Sequence, residues 1–327
     1  MNKLKVIFTI ISMLLFCPFL VLYAQSADVS DDYFLFGYFY GYERQNEGLH
    51  LAVSKDGLQW VSVKNDSSVF HPGFGAFFRD PMFKRDPKNP DLIHMVWSTG
   101  NNDSFGISST YDLLNWFDTK EVRINKDVEG VYNTWAPELF WDEDTQQWMV
   151  YWGSSIQGKF VETSKLSPNP RANNRMYYSL SDDLENWSQP ILLQDFGFPS
   201  VDCYIYKLPD NHPKGKYIEF VKHIVQPGKL AAIREAYSYS LTGPYVLTES
   251  YITGKYKFSE GPNLIKIGEY YYLYVDLSRE HRMAVFRTKE IGMGKWEDLT
   301  DTASFPNEAK HGSIIRISKD MYDKLNK

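Results

Sequence analysis

Ser54-Lys55-Asp56-Gly57-Leu58-Gln59-Trp60 is one copy of a pattern that the chain repeats five times: small polar residue, turn, hydrophobic residue, aromatic residue. The other copies are Ser109-Thr110-Tyr111-Asp112-Leu113-Leu114-Asn115-Trp116, Ser179-Leu180-Ser181-Asp182-Asp183-Leu184-Glu185-Asn186-Trp187, Ser238-Tyr239-Ser240-Leu241-Thr242-Gly243-Pro244-Tyr245 and Arg287-Thr288-Lys289-Glu290-Ile291-Gly292-Met293-Gly294-Lys295-Trp296. The closing aromatic residues lie 56, 71, 58 and 51 residues apart. A near-constant period of this size is typical of a β-propeller in which each repeat forms a four-stranded blade. The repeats therefore predict five blades around one axis.

Between the turns, the chain consists of short runs rich in Val, Ile and aromatic residues, bounded by Gly, Pro, Asn and Asp. The clearest of these strand-like runs cover residues 33–40, 92–97, 148–152, 217–221 and 270–275. After the first residues, the chain has no long apolar period of 3.6 residues. The predicted fold class is all-β.

A short motif opens each blade and sets the phase of the repeats. The five motifs are Arg79-Asp80-Pro81, Trp135-Ala136-Pro137-Glu138, Val201-Asp202-Cys203, Glu260-Gly261-Pro262 and His311-Gly312-Ser313. The motif at His311 precedes a single strand, 314–317, whereas segment 31–63 has a repeat but no opening motif. We therefore expect the C-terminal strand to pair with the N-terminal strands and close the last blade. Residues 25–327 then form a single five-bladed propeller, with longer loops at 157–175 and 226–229 that either shape a cleft or are tolerated insertions.

Residues 1–24 have the layout of a cleaved secretory signal: a basic head, an apolar run and the small residue Ala24. The apolar run is also long enough for an uncleaved membrane anchor. Pro18 interrupts it, however, and no basic cluster follows. Cys17 suggests a lipid anchor, but the bulky Phe16 stands where a small residue is expected. We expect an exported protein, periplasmic or extracellular, without stable membrane insertion after cleavage.

Charge and cysteine content exclude several classes of function. Loss of Lys3 and Lys5 with the signal would change the net charge from −6 to −8, and no basic stripe suited to nucleic acid is present. Only Cys203 would remain, so an intramolecular disulfide is excluded and the thiol is expected to be a small buried hydrophobe. A neutral partner such as a carbohydrate fits this chain, and we expect a monomer.

Asp80, Asp202 and Glu260 each stand at the start of an innermost strand of a different predicted blade. These carboxylates are expected to point into one end of the central funnel, where they cannot all ionise at their solution pKa values. A protonated and an ionised carboxyl group on either side of a bond are what glycoside hydrolysis requires. Taken singly, each motif also fits a turn or a satisfied structural carboxylate. Their place in successive repeats favours the catalytic interpretation.

With these motifs in this order, the chain resembles glycoside hydrolase family 43, whose members are five-bladed propellers acting on arabinose- and xylose-containing glycans. The resemblance extends over roughly residues 31–317. It implies an inverting mechanism with Asp80 as general base, Glu260 as general acid and Asp202 as the acid that raises the pKa of Glu260 and orients it. Inversion would place the acid and base carboxyl groups roughly 6.5–9.5 Å apart.

The resemblance also suggests residues around the three acids. Glu138 and Trp135 would contact the substrate, with Glu138 lining the site or bracing the acids. Arg282 would reach a sugar hydroxyl, although a solvated surface arginine is an equal alternative. Lys222, on the predicted blade of Asp202, is a further substrate-binding candidate. No cofactor is required; His311 would lie near the propeller axis as a ligand of a structural Ca²⁺ or as a hydrogen-bonded core residue.

We therefore expect an exo-acting α-L-arabinofuranosidase that trims plant polysaccharide. β-Xylosidase, β-galactofuranosidase and endo-arabinanase are alternatives within the same family, because loop residues decide between these substrates. A propeller that binds glycan without cleaving it and a protein-interaction propeller are the alternatives from other classes.

Overall fold

Five four-stranded antiparallel sheets make up the computed structural model, which describes residues 32–41, 44, 46–167, 169–226 and 230–327. Blade 1 contains β4 (Arg79–Arg85), β5 (Ile93–Ser98), β6 (Phe105–Thr110) and β7 (Trp116–Val122), and blade 2 contains β8 (Trp135–Asp142), β9 (Gln147–Ser154), β10 (Arg175–Ser181) and β11 (Ile191–Gln194). Blade 3 contains β12 (Tyr204–Lys207), β13 (Tyr217–Gln226), β14 (Leu230–Ser238) and β15 (Val246–Tyr251), and blade 4 contains β16 (Glu260–Ile267), β17 (Tyr270–Leu277), β18 (Arg282–Thr288) and β19 (Glu297–Asp298). The prediction of an all-β, five-bladed propeller is confirmed. The predicted signal at 1–24 lies outside the described residues.

Blade 5 joins the two ends of the described chain. Its strands are β1 (Tyr33–Tyr38), β2 (His50–Ser54), β3 (Val61–Ser62) and, in the inner place, β20 (Ser313–Ile317). Strand β20 pairs antiparallel with β1, from Gly37 opposite Ser313 to Tyr33 opposite Ile317. The predicted closure of the last blade by the C-terminal strand is confirmed.

The described residues form five apolar clusters, one between each pair of neighbouring blades. Because a blade is covered on both faces, its middle strands are buried along their whole length, as in β5 and β6. This explains the continuous apolar runs in the sequence, where a sheet with one face in water would show alternation. The five aromatics that close the repeats each lie in a different cluster: Trp60, Trp116, Trp187, Tyr245 and Trp296. These residues therefore contribute to the packing between the blades.

The repeats themselves form the turns between the third and fourth strands. In three of them an aspartate carboxylate accepts hydrogen bonds from the backbone N–H groups two and three residues on. Asp56 Oδ1, for example, accepts from Leu58 and Gln59 at 2.8 Å each. Asp112 and Asp183 do the same in their own blades. An Asx turn of this kind explains why Asp recurs at this place in the pattern.

The described helices are short. Helix α1 (Lys319–Leu325) follows β20, and 3₁₀ segments cover Val63–Asp66, Val161–Leu166, Pro170–Ala172 and Thr300–Thr302. The Tyr322 ring of α1 lies 4.7 Å from the Tyr33 ring of β1, so the helix packs on blade 5. Helix α1 was not predicted from the sequence. No helix in the described ranges has the length and apolar character needed to span a bilayer.

Candidate active site

The five opening motifs meet at one end of the propeller axis. A cavity of about 10 Å³, room for about one water molecule, is lined by Asp80, Pro81, Ala136, Glu138, Asp202, Gly261, Pro262, His311 and Gly312. These residues come from all five blades, as expected if the first strand of each blade is innermost. The structure thus brings Asp80, Asp202, Glu138 and His311 together.

The backbone at the start of four inner strands is left-handed. Asp80, Ala136, Asp202 and Gly261 have φ angles of 56°, 47°, 56° and 57°. Strands β4, β8 and β16 also change register with their neighbours just after this position. A bulge with a left-handed residue turns side chains away from the regular pleat. For the three non-glycine residues this conformation is unfavourable, and such strain is concentrated at functional sites.

Asp80 is held as a carboxylate by two neighbours. Ser98 Oγ donates a hydrogen bond to Asp80 Oδ2 at 2.5 Å, and His311 Nε2 lies 2.9 Å from Oδ1. Burial by itself would raise the pKa of Asp80, but the contacts with His311 and Ser98 outweigh it and place the pKa below its ordinary value. Ser98 Oγ also accepts from Ala136 N at 2.8 Å, which ties the site across blades 1 and 2.

His311 lies between two carboxylates. Its Nδ1 is 3.3 Å from Oδ2 of Asp276, a fully buried residue of β17. Burial would lower the pKa of His311, but Asp276, Asp80 and Asp202 raise it well above its ordinary value. The imidazole is therefore charged. A Cβ atom at Gly261 would stand 2.0 Å from His311 Cγ, so only glycine leaves room for this ring.

Lys222 bridges the remaining two catalytic candidates. Its Nζ donates to Asp202 Oδ2 at 2.8 Å and to Glu260 Oε2 at 2.6 Å. Burial would raise the pKa of Glu260, but the charges of Lys222 and His311 lower it to about 2. The pKa of Asp202 lies above its ordinary value because of its burial, with Glu260 and Asp80 adding like charge. Lys222, predicted as a substrate-binding residue on the blade of Asp202, thus contacts Asp202 and Glu260 directly, and Glu260 is an ionised carboxylate. Its contact with a substrate stays a prediction.

Glu138 differs from its neighbours. Within the described part of the chain, its Oε2 is buried without a hydrogen-bond partner. Burial, together with the charges of Asp202 and Asp80, raises the pKa of Glu138 well above its ordinary value despite the cations of Lys84 and His311. Glu138 is therefore a neutral carboxylic acid beside the ionised Asp80. Two titratable groups with pKa values moved in opposite directions are what acid–base chemistry needs.

Two predicted substrate contacts lie outside this arrangement. Trp135 is partly buried at the start of β8. Its neighbour Ala136 lines the cavity, whereas Trp135 does not. The Arg282 side chain is 44% exposed and pairs with Glu280 and Asp301, each at 3.2 Å. The structure does not bring either side chain into the cavity, and their contacts with a substrate stay predictions.

Two neighbours of the acids were missed in the sequence. Asp276 interrupts the apolar run Tyr270–Leu277, and a carboxylate in such a run was a usable signal. Ser98 follows the buried Trp97 at the end of β5, and nothing in the sequence distinguishes it from other strand-end serines.

His311 lies with two carboxylates in a group of the kind that can hold a metal ion. Glu260, Asp276 and His311 each offer one ligand atom, and these lie within 4.8 Å of one another. Calcium, however, takes six to eight oxygen ligands. Both His311 nitrogens face carboxylates, those of Asp276 and Asp80. A Ca²⁺ near the axis, with His311 as a ligand, stays a prediction.

The fold and this cluster agree with the family comparison. A family model described as "Probable glycosyl hydrolase domain", of the family 43-related type, matches residues 31–323. The chain belongs to this glycoside hydrolase family. The family 43 fold also appears in solved structures: a thermostable family-43 glycoside hydrolase has a TM-score of 0.51 at 14% identity, covering 69% of this chain and 73% of that one. An α-L-arabinofuranosidase from Clostridium thermocellum ATCC 27405 has a TM-score of 0.55 at 11% identity, covering 76% and 82% of the two chains.

One curated relative of this family 43 chain is an α-L-arabinofuranosidase of Bifidobacterium longum subsp. longum, 28% identical over 123 residues. That match covers 34% of this chain and 11% of the relative, so the chain corresponds to a small part of the longer protein.

Proposed function

We propose that this protein is an exported, monomeric, inverting glycoside hydrolase that removes terminal α-L-arabinofuranosyl units from plant-type polysaccharides or oligosaccharides. The observation that carries the proposal is the cluster of Asp80, Asp202 and Glu260 around one end of the axis, with Lys222 and His311 as the cations between them. Family membership supports the reaction class.

Asp80 is the proposed general base. It is ionised, and His311 and Ser98 fix both of its oxygens. In this role it takes a proton from a water molecule while the water oxygen forms a bond to the anomeric carbon. The bond from that carbon to the leaving oxygen breaks at the same time, and the acid gives its proton to the leaving oxygen. Because water enters on the face opposite the leaving group, the product anomer is inverted.

Glu260 is the proposed general acid, and this role requires a proton that it does not hold in the free protein. Lys222 Nζ, 2.6 Å from Glu260 Oε2, keeps the carboxyl group ionised. The proposal therefore requires that glycan binding draw Lys222 away from Glu260, so that burial raises the pKa of the acid. Lys222 would then donate to a sugar hydroxyl. Glu138, already neutral, is the second candidate for the acid.

The choice of sugar rests on the relatives. The curated relative and one structure of the same fold are named α-L-arabinofuranosidases. β-Xylosidase, β-galactofuranosidase and endo-arabinanase activities use the same carboxylate chemistry and are alternatives. Export and the absence of stable membrane insertion rest on the signal-like pattern at 1–24.

A panel of 4-nitrophenyl glycosides tests the proposal, with the first-formed product anomer followed by NMR. We expect hydrolysis of the α-L-arabinofuranoside with inverted anomer, and little turnover of the β-D-xyloside or the β-D-galactofuranoside. Linear arabinan, tested beside the panel, should release arabinose and no longer products if the action is exo. Turnover of another member of the panel would change the substrate, and a retained anomer would exclude the mechanism. Binding of oligosaccharides without any turnover would favour the non-catalytic propeller.

A further inference from the structure

A second cavity, of about 320 Å³, lies in the segment that leads into the Asp80 motif. It is lined by Asn46 and by residues 71–78, His71-Pro72-Gly73-Phe74-Gly75-Ala76-Phe77-Phe78. This phenylalanine-rich loop, here called the Phe loop, connects blade 5 to Arg79 at the start of β4. Small-molecule sites measure roughly 300–1,000 Å³, so the cavity is large enough for a small ligand.

The Phe loop is held in place on blade 1. The backbone N–H groups of Ala76 and Phe77 both donate to Thr99 O, at 2.7 and 3.1 Å. Gly100, the next residue, has a φ of 81°, and a Cβ atom there would come within 2.7 Å of the Phe77 ring. The glycine thus lets the ring close over the β5–β6 turn. A cavity anchored in this way is formed before a ligand arrives, which reduces the entropy cost of binding.

The cavity opens at the same end of the propeller as the carboxylates. In each blade, the innermost strand begins at this end and the second strand ends there. In blade 1, the Phe loop therefore lies between the start of β4 and the turn after β5. The Phe77 ring is 4.7 Å from the Arg79 guanidinium carbon, and Arg79 is the neighbour of Asp80. Asn46 belongs to the β1–β2 connection, in which Phe39 contacts the His311 ring edge-on at 5.5 Å. The cavity therefore borders the site on the side of blades 5 and 1.

The lining combines aromatic faces with a few polar groups. Phe74 and Phe77 are partly exposed, and the exposed side chains of His71 and Asn46 supply polar groups at the rim. A sugar ring has C–H groups on its faces and hydroxyls around its edge, so it matches an aromatic wall with polar groups beside it.

We propose that the Phe-loop cavity binds the sugar unit that adjoins the reacting one in the glycan chain. This inference rests on the proposed function for the class of ligand, and it extends the site from one sugar unit to at least two. An aryl glycoside, which lacks the second sugar, cannot make these contacts in full.

The test measures binding without turnover. Asp80→Asn protein, alone and combined with Asn46→Ala or Phe74→Ala, is titrated by calorimetry with arabinopentaose and with xylopentaose. Tyr239→Ala in the same background is the control, because Tyr239 is an aromatic residue with 70% exposure that follows β14 at the opposite end of the propeller. We expect roughly tenfold weaker binding for Phe74→Ala, since burial of an aromatic side chain contributes that much or more, and no change for the control.

The inference would be overturned if both the Asn46 and the Phe74 variants bound the pentasaccharides as tightly as Asp80→Asn alone. It would also be overturned if Asp80→Asn alone bound neither pentasaccharide at millimolar concentration. Asn46 is exposed in a loop, so its variant remains informative if Phe74→Ala does not fold. In the active background, both variants should lose at least tenfold more kcat/KM on the pentasaccharide than on the aryl glycoside. If the variants lose pentasaccharide binding while the aryl panel shows no hydrolysis, the proposed function fails and the subsite stands. If the aryl arabinofuranoside is hydrolysed but the variants bind the pentasaccharides as tightly as their parent, the proposed function stands and the subsite fails.

Discussion

The Lys222 ammonium group lies 2.6 Å from Glu260 Oε2 inside the site, and this ion pair sets the protonation state of the proposed acid. Lys222 also contacts Asp202 at 2.8 Å, so one cation serves two buried carboxylates. Removal of one partner from a buried ion pair is strongly destabilising, because the charge of the other partner is left buried without compensation. The pair therefore governs both the pH dependence of the site and its tolerance of substitution.

Replacement of Lys222 by methionine should move the alkaline limb of the kcat/KM profile to higher pH. The Lys222 charge lowers the pKa of Glu260 to about 2, and an acid must be protonated to act. Without that charge Glu260 holds its proton to higher pH, although the maximum rate falls because a substrate contact is lost. A kcat/KM–pH series from pH 3 to 9 measures the limb, with Lys222→Arg as the charge-conserving control. An unchanged limb in Lys222→Met would show that Glu260 is not the acid.

Glu260→Gln and Asp80→Asn should differ in their dependence on the leaving group. Without its acid, the enzyme should keep most of its kcat/KM on an aryl glycoside with a good leaving group. On a natural glycan, kcat/KM should fall by about 10²–10⁴-fold. Without its base, the enzyme should lose a similar factor in kcat/KM on both substrates, because water must be activated for either of them. Comparison of kcat/KM on 2,4-dinitrophenyl and alkyl arabinofuranosides checks this. Wild-type-like activity of Asp80→Asn would remove Asp80 from the mechanism.

Glu138→Gln should retain kcat/KM within about tenfold, since an amide is the closest isostere of a neutral carboxylic acid and leaves the local charge unchanged. Glu138→Ala should cost more, because it enlarges the water-sized cavity between the blades. Both variants are compared on the same aryl glycosides. A thousandfold loss in Glu138→Gln that is restricted to poor leaving groups would assign the acid role to Glu138 instead of Glu260.

Glu219→Gln should stabilise the protein at alkaline pH. Glu219 is fully buried and accepts from Gln194 Nε2 at 2.8 Å. Burial raises the pKa of Glu219 from 4.5 to about 8. Between these values the folded state keeps a proton that the unfolded chain has released, so stability falls as pH rises from 4.5 toward 8. From pH 5 to pH 8, the free energy of unfolding of the variant should therefore rise by ~2–5 kcal/mol relative to that of wild type.

Urea unfolding of wild type and Glu219→Gln at these two pH values measures the difference. Glu249→Gln is the matched control, because Glu249 is exposed on blade 3. The same pH dependence in wild type and Glu219→Gln would show that Glu219 is ionised in the folded protein.

The sequence predicted the architecture well because strand-forming runs and turn residues are local signals. The run at 270–275 corresponds to β17 (Tyr270–Leu277), and the closing strand at 314–317 corresponds to β20 (Ser313–Ile317). Helix α1 was missed because seven residues are too few to show a helical period. It forms in the structure because Ser318 caps it and Tyr322 packs on Tyr33.

The site was predicted only in outline, because its arrangement depends on backbone geometry. The three acids were expected at one shared position of the repeats. The structure instead places Asp80 and Asp202 on left-handed residues, whereas Glu260 precedes the left-handed Gly261. Nor does a sequence show that Lys222 reaches across to blade 4, since that contact joins residues 38 positions apart. Side-chain contacts between blades follow from packing that no local pattern encodes.

The closure of blade 5 by β20 links assembly of the proposed active site to completion of the propeller ring. His311 directly precedes this strand, and the other three strands of the blade lie between Tyr33 and Ser62. Until residues 311–317 are in place, the inner edge of β1 has no strand to pair with. The imidazole that fixes Asp80 arrives with the same segment. The contacts of the proposed base are therefore incomplete until the ring closes, so that docking of the last strand and assembly of the site are one step.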